Sequence, residues 1–147
     1  MGRSTTNIVV VGGGTGGTLA ANLLAKELRN EIHDGDVRVI LVSASRQHIF
    51  QPNYLHIAFK NQDPKEIVRE ESSLVRREVS LVEESAQRID LSDRKVTLAS
   101  GETLSHDYLV IATGSVPNPS AVPGLAEGSF NFHTSPEDSK RIWDAIQ

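Results

Sequence analysis

Apolar residues follow two rhythms along this chain. Asn7–Val11 is a short, unbroken, largely β-branched run, the pattern of a strand buried on both faces. Directly after it, Gly17, Ala21, Leu24 and Leu28 recur at helical spacing. They predict a helix over residues 16–29, with small residues near its start and Leu24 and Leu28 facing the core. The polar stretch Asn30–Asp36 (NEIHDGD) reads as a loop, and Val37–Val42 (VRVILV) as a second buried strand. Strand, helix and strand in that order form a βαβ unit, whose strands should be parallel and whose crossover should be right-handed.

A further helix is expected from Asp63. Asp63 suits the cap, Pro64 the first turn, and Glu66 completes the spacing of a capping box. Ile67, Val68, Leu74 and Val75 would supply its apolar stripe. The rhythm then becomes that of strands over Glu78–Asp90, Lys95–Leu98, Glu102–Leu104 and Tyr108–Thr113, separated by LSDR and ASG turns. Proline and glycine punctuate the chain from Gly114 to Thr134. Ser135-Pro136-Glu137-Asp138 opens a last helix with Ile142, Trp143 and Ile146 on one face. The sequence stops inside that helix without a cap, so the chain is expected to belong to a longer protein.

Composition narrows the classes open to it. The 147 residues suffice for one modest core. A formal net charge of −4 argues against nucleic acid as the main partner, because phosphate binding wants a basic face. The absence of cysteine removes disulfides, zinc–thiolate sites and a thiol nucleophile from this chain. No apolar run approaches the roughly 20 residues of a membrane span, and MGRSTTN has no signal-peptide core. The expected compartment is the cytoplasm. Of the histidines, His33, His48 and His56 lie in loop-like stretches without metal-ligand spacing, so packing or surface roles are expected. His106 reads as an exposed strand end, and Arg69, Arg76 and Arg77 as a solvated helix face.

The candidate chemistry begins at Ile8–Gly17, IVVVGGGTGG, where glycine takes five of six positions right after a strand. A flexible linker is excluded by the strong patterns on either side. A triphosphate loop has the right Gly12–Gly17 spacing but Thr18 where its lysine should stand. The dinucleotide fingerprint GxGxxG fits as Gly12, Gly14 and Gly17. Gly12 permits the tight turn, Gly14 lets a pyrophosphate approach the backbone, and Gly17 lets helix and strand pack closely. The free N–H groups around Thr15, Gly16 and Gly17 then face the anion with the positive helix end behind them. One position departs from the fingerprint: Ser43 stands where an acid should bind the ribose hydroxyls. Ser43, Ser45 and Arg46 could instead suit a 2′-phosphate, so this segment alone leaves NADP and FAD both open.

Residues 106–124 read HDYLVIATGSVPNPSAVPG. This stretch resembles the motif YDxLVIATGSxPxxPxxPG of the flavin-binding half of the pyridine nucleotide–disulfide reductases and their quinone-reducing relatives. Tyr108–Ala112 would be a buried strand, and Thr113-Gly114 a tight end whose backbone lies against the cofactor. The resemblance covers nearly the whole chain. It implies an α/β fold: a Rossmann-like parallel sheet with a small antiparallel β layer. It implies a FAD-binding domain over 1–117, with 118–147 as a linker and first helix leading toward a second dinucleotide-binding domain.

The segment SASRQHIFQPNYLHIAF resembles the sulfide:quinone oxidoreductase branch, where a serine commonly replaces the ribose-binding acid and an aromatic-x-Pro segment, here Phe50-Gln51-Pro52, follows. Type II NADH dehydrogenases are similar but usually keep the acid. The resemblance implies FAD as cofactor. Gly12, Gly14, Thr15, Gly16 and Gly17 would hold the pyrophosphate; Ser43 and Ala44 would flank the ribose and Ala86 the adenine. Gln51 and Pro52 would lie toward the ribityl chain or ring, and Ala112, Thr113 and Gly114 would close the other side. Quinone would be the electron acceptor and sulfide or NADH the donor, with peripheral membrane association through a region outside this chain. The sulfide enzymes carry sulfur on cysteines beside the flavin, and this chain has none, with His133 in a region where some members have one. No catalytic acid, base or nucleophile is assigned. The 147 residues alone are expected to be inactive.

Overall fold

The computed structural model describes residues 4–131 and 133–147. In chain order its elements are β1 (Thr6–Val11), α1 (Thr15–Glu27), α2 (Arg29–His33), β2 (Val37–Val42), β3 (Gln47–Ile49), a 3-10 turn (Gln51–Asn53), α3 (Tyr54–Lys60), a 3-10 turn (Pro64–Ile67), β4 (Val68–Glu70) and α4 (Glu71–Leu74). They continue with β5 (Val79–Val82), β6 (Ala86–Asp90), β7 (Lys95–Leu98), β8 (Thr103–Ser105), β9 (Tyr108–Ile111), a 3-10 turn (Pro119–Ala121), α5 (Leu125–Gly128) and α6 (Pro136–Ala145). The described residues form two compact units: residues 4–48 with 69–114, and residues 49–68 with 115–131 and 133–147.

The first unit is built on a four-stranded sheet in the order β5-β2-β1-β9. Every pairing in it is parallel, as the α/β reading requires. The apolar runs of β1 and β2 have a direct cause: both faces of these central strands are covered, whereas the edge strand β9 leaves Tyr108 and Ile111 exposed and is not the buried strand expected. Ile8 and Val10 of β1, with Val39 and Leu41 of β2, pack against Ala21 and Ala25 of α1. Val9, Val11, Ile40 and Val42 point the other way and meet Val96 and Leu98 of the antiparallel sheet β6-β7-β8. Along Ile8–Val11 and Val39–Val42 successive residues thus enter two different cores, which leaves no polar position in those stretches. Asp107 pins the start of β9 beside β1: its carboxylate accepts from the Asn7 N–H at 2.8 Å, and its own N–H donates to the Asn7 carbonyl at 2.9 Å.

The second unit has a core of Tyr54, Ile57 and Ile67, with Ile49 and Val68 packed against it. Asn61, at φ 55°, ends α3, and its side chain accepts from Lys140 of α6 at 2.7 Å. The Ser135 hydroxyl caps α6 by accepting from the Asp138 N–H, as the Ser-Pro-Glu-Asp pattern predicts.

Several local expectations change. Asn30–Asp36 is not all loop, because Arg29–His33 forms α2 and sends Ile32 into the main core; His33 therefore lies on a helix. His56 lies on α3. The helix expected from Asp63 stops after one 3-10 turn; Asp63 does cap it, accepting from the Lys65 N–H, but the chain then enters β4. Ile67 and Val68 serve the second unit's core and Val75 the first unit's, so they are not one helical stripe. Arg69 lies on β4, and Arg76 and Arg77 follow α4. Glu78–Asp90 divides into β5, in the parallel sheet, and β6, in the antiparallel one. His106 is buried, its N–H bound to the Arg94 carbonyl at 2.9 Å.

Leu41 is fully buried between β2 and α1. Leu41→Ala should lower unfolding free energy by about 2–5 kcal/mol, read as a shift in urea midpoint. A midpoint equal to that of the unsubstituted chain would contradict a sheet packed on this face.

Candidate functional site

Parallel strands place their C-terminal ends together, and the glycine motif follows the end of β1. Three backbone bonds continue the sheet past its strands: Gly12 N–H to the Val42 carbonyl (2.9 Å), Ser43 N–H to Val82 (2.9 Å) and Ala112 N–H to Val11 (2.8 Å). The two motifs, far apart in sequence, therefore lie side by side.

The glycines divide into two kinds. A Cβ on Gly12 would lie 2.3 Å from the Ala112 carbonyl oxygen, and its φ of +117° disfavours any side chain. A Cβ on Gly17 would lie 1.8 Å from the Gly12 carbonyl oxygen. A Cβ on Gly13 would lie 2.0 Å from the Ser43 hydroxyl oxygen. These three are glycines because protein backbone or side chain fills the space. Gly14 and Gly16 have nothing within 4 Å on that side and face open space. No side chain caps α1 at Gly14, and its first turn carries no acid. The opening amides of a 13-residue helix therefore stand uncapped behind two bare glycines, a setting suited to a diphosphate. The open side of Gly14 and Gly16 would leave room for a dinucleotide pyrophosphate, so the residues present fit that group.

The other expected site residues are distributed as follows. Thr15 is exposed at the start of α1, and Ala44, Thr113 and Gly114 are exposed beyond the strand ends. Gly114 has φ +73°. Ala112 is half-buried against Gly17. Ala86 opens β6 opposite Leu98, next to a register shift. Ser43 is 3% exposed, and its hydroxyl donates to the Ser45 carbonyl at 2.7 Å. Arg46 is paired with Glu83 at 3.1 Å. Gln51 and Pro52 are exposed in the 3-10 turn of the second unit.

Sequence reasoning missed the groups beneath the loop. Glu71 is completely buried and His48 is 7% exposed. The Glu71 carboxylate accepts from the Thr18 hydroxyl at 2.5 Å on one oxygen and meets His48 Nδ1 at 2.9 Å on the other. The same Nδ1 lies 3.1 Å from the Gly13 carbonyl oxygen. Although an imidazole–carboxylate pair can serve as a catalytic dyad, this one is enclosed, and each oxygen of its carboxylate already has a partner, the Thr18 hydroxyl on one and the ring on the other. Its place under the glycine loop makes it part of the loop's support. Glu71 hides in the polar run Arg69-Glu70-Glu71-Ser72-Ser73, where no periodicity marks one acid as buried. Outside this cluster, Glu78 gathers Arg29, Arg76 and Arg77 at 3.5–3.9 Å. A backbone hydrogen bond first, and then the Arg76 and Arg77 charges, hold its carboxyl below the usual range against partial desolvation.

Residues 6–145 match the pyridine nucleotide-disulphide oxidoreductase family. The chain belongs to that family. It is 28% identical over 125 residues to the mitochondrial sulfide:quinone oxidoreductase of Dictyostelium discoideum, covering 85% of this chain and 26% of that protein. The mouse mitochondrial sulfide:quinone oxidoreductase is 24% identical over 144 residues, covering 95% of this chain and 31% of that protein. The sulfide:quinone oxidoreductase of Aquifex aeolicus superposes with a TM-score of 0.78 at 26% identity, over 97% of this chain and 32% of that one. The NDH2 of Plasmodium falciparum, at TM-score 0.68 and 17% identity over 95% of this chain and 28% of that one, shares the fold. This chain thus spans about a quarter to a third of the length of these relatives. No described helix is long and apolar enough to cross a membrane.

The two kinds of glycine should separate by substitution. Gly12→Ala should cost more than about 2 kcal/mol, from its positive φ and the carbonyl it would strike. Gly14→Ala should stay within about 0.5 kcal/mol, measured by thermal unfolding of the ligand-free chain. Equal losses would contradict the division.

Proposed function

We propose that this chain is the FAD-binding portion of a flavin-dependent quinone reductase of the sulfide:quinone oxidoreductase type. The observation that carries the reading is the meeting of Gly12–Gly17 with Ala112–Gly114 at neighbouring strand ends, with Gly14 and Gly16 bare toward open space. The amides of Gly14, Thr15, Gly16 and Gly17 would hold the pyrophosphate. Ser43 and Ala44 would lie beside the adenosine ribose and Ala86 beside the adenine. Thr113 and Gly114 would pass under the cofactor toward its flavin end.

FAD supplies the two-electron redox chemistry when bound. The chain's own part is to bind and orient. The helix end offsets the diphosphate charge, and the absence of an acid in the first turn avoids repelling it. Quinone would accept the electrons, and sulfide or NADH would deliver them. Two sulfide:quinone oxidoreductase relatives favour sulfide, while the cysteine-free sequence means that this chain contributes no sulfur-carrying thiol. The competing NADP reading, through Ser45 and Arg46, is disfavoured by Glu83. That carboxylate occupies Arg46 and would repel a 2′-phosphate there.

Titration of the 147-residue chain with FAD tests the reading. Saturable binding, seen as a change in flavin fluorescence, is expected from the unsubstituted chain. Gly14→Val should weaken it by at least about a hundredfold, because the valine would occupy the space meant for the pyrophosphate. No saturable binding by the unsubstituted chain, or equal affinity in a folded Gly14→Val variant, would refute it.

A further inference from the structure

The Gly13–Gly14 peptide joins two residues without side chains, so rotating it meets the least steric resistance of any peptide type. Its orientation nevertheless matters. In a trans peptide the C=O and the following N–H point in opposite directions, and the described chain contains no cis peptide. With its carbonyl turned inward, the Gly13–Gly14 unit presents the Gly14 N–H outward. Rotated by half a turn, it would present a carbonyl oxygen to an incoming anion instead. Some other group must select between the two.

His48 is placed to do so. Its Nδ1 lies 3.1 Å from the Gly13 carbonyl oxygen and 2.9 Å from Glu71 Oε2. A carbonyl can only accept, so Nδ1 must carry the proton to serve it. The Glu71 carboxylate accepts from the same N–H and favours that tautomer, while the Thr18 hydroxyl, on the first turns of α1, satisfies its other oxygen. Glu71 is fixed in turn by its backbone N–H, which donates to the Arg46 carbonyl at 2.7 Å. The side of Gly13 facing this cluster has no room for a side chain, because Ser43 lies against it.

We infer that His48, its tautomer set by Glu71, is a positioning residue that locks the Gly13–Gly14 peptide with the Gly14 N–H directed at a dinucleotide pyrophosphate. The role of the locked N–H rests on the flavin reading above. The locking itself is a property of the ligand-free chain. No step of the redox reaction passes through His48. Its contribution is to the affinity for the diphosphate, and it acts through a backbone group it holds.

Two measurements decide it. The first needs neither ligand nor substitution. Long-range proton–nitrogen correlation on chain labelled with 15N-histidine should show His48 Nδ1 as the protonated nitrogen. A spectrum with Nδ1 unprotonated overturns the inference, whatever becomes of FAD binding. The second is FAD titration of folded variants, with thermal unfolding measured alongside. His48→Leu should weaken binding by about tenfold or more through the lost hydrogen bond. His48→Asn, whose side-chain N–H can stand where Nδ1–H stood, should recover affinity to within about threefold. A role in stability alone would lower the melting temperature and leave the affinity of the folded protein unchanged. Unchanged affinity in His48→Leu, or equal loss in both variants, overturns the inference while leaving the flavin reading intact. An unsubstituted chain that binds no FAD overturns the flavin reading and the ligand role of His48 together.

Discussion

Close approach of backbone to backbone at the ends of β1 and β9 is the constraint on which this site depends. The Gly12 carbonyl lies where a Cβ of Gly17 would be, and the Ala112 carbonyl lies where a Cβ of Gly12 would be. Because those contacts are so short, α1 can start immediately beyond the sheet. Its uncapped amides then stand directly above the strand ends instead of a loop's length away. The same closeness ties the two motifs to each other. The alanine of the IATG stretch is the surface against which the first and last glycines of GxGxxG fit.

A loop of bare glycines gains closeness at the expense of rigidity, since each glycine has more conformations to lose on folding. The first unit compensates from two directions. Both faces of its central strands β1 and β2 are covered by apolar layers, which hold their ends in place. Beneath the loop, Thr18, His48 and Glu71 form an enclosed polar cluster bonded to its carbonyl side. Burying a carboxylate is costly unless its oxygens are satisfied, and here each has a hydrogen-bond partner. The open face of the loop consists of amides and bare glycines, while the charged groups lie on the protein side.

The parts of the site were legible to different degrees. Gly12, Gly14 and Gly17 could be read because spacing and flanking patterns carry the signal, and the structure adds a distinct reason for each. Gly13 read as one more glycine of the run, yet its missing side chain is what admits Ser43. Ser43 itself looked like a substituted ribose ligand; its hydroxyl is bonded within its own turn. Arg46 looked free to meet a phosphate, and Glu83 from the end of the neighbouring strand occupies it. For Gly13 and Arg46 the deciding partner, Ser43 or Glu83, comes from a segment that sequence spacing does not connect to the residue; for Ser43 it lies two residues along the same turn.

By itself, the sequence determined three strands of the parallel sheet, β1, β2 and β9, the helix that follows the glycines, the hairpin strands of the antiparallel layer and the pair of motifs that mark the family. Those features are local: an apolar run records burial on two faces, and a glycine spacing records a turn into a helix. Tertiary structure decided where Glu78–Asp90 divides between two sheets, why the pattern from Asp63 to Val75 is not one helix, and which acid of the Arg69–Ser73 run is buried. Ile67 and Val75 are equally apolar, but they serve the cores of different units. Glu71 and Glu70 are chemically the same, but only Glu71 meets Thr18 and His48. Hydrophobic periodicity reports that a residue is buried and on which side; the identity of its neighbours exists only once the chain has folded.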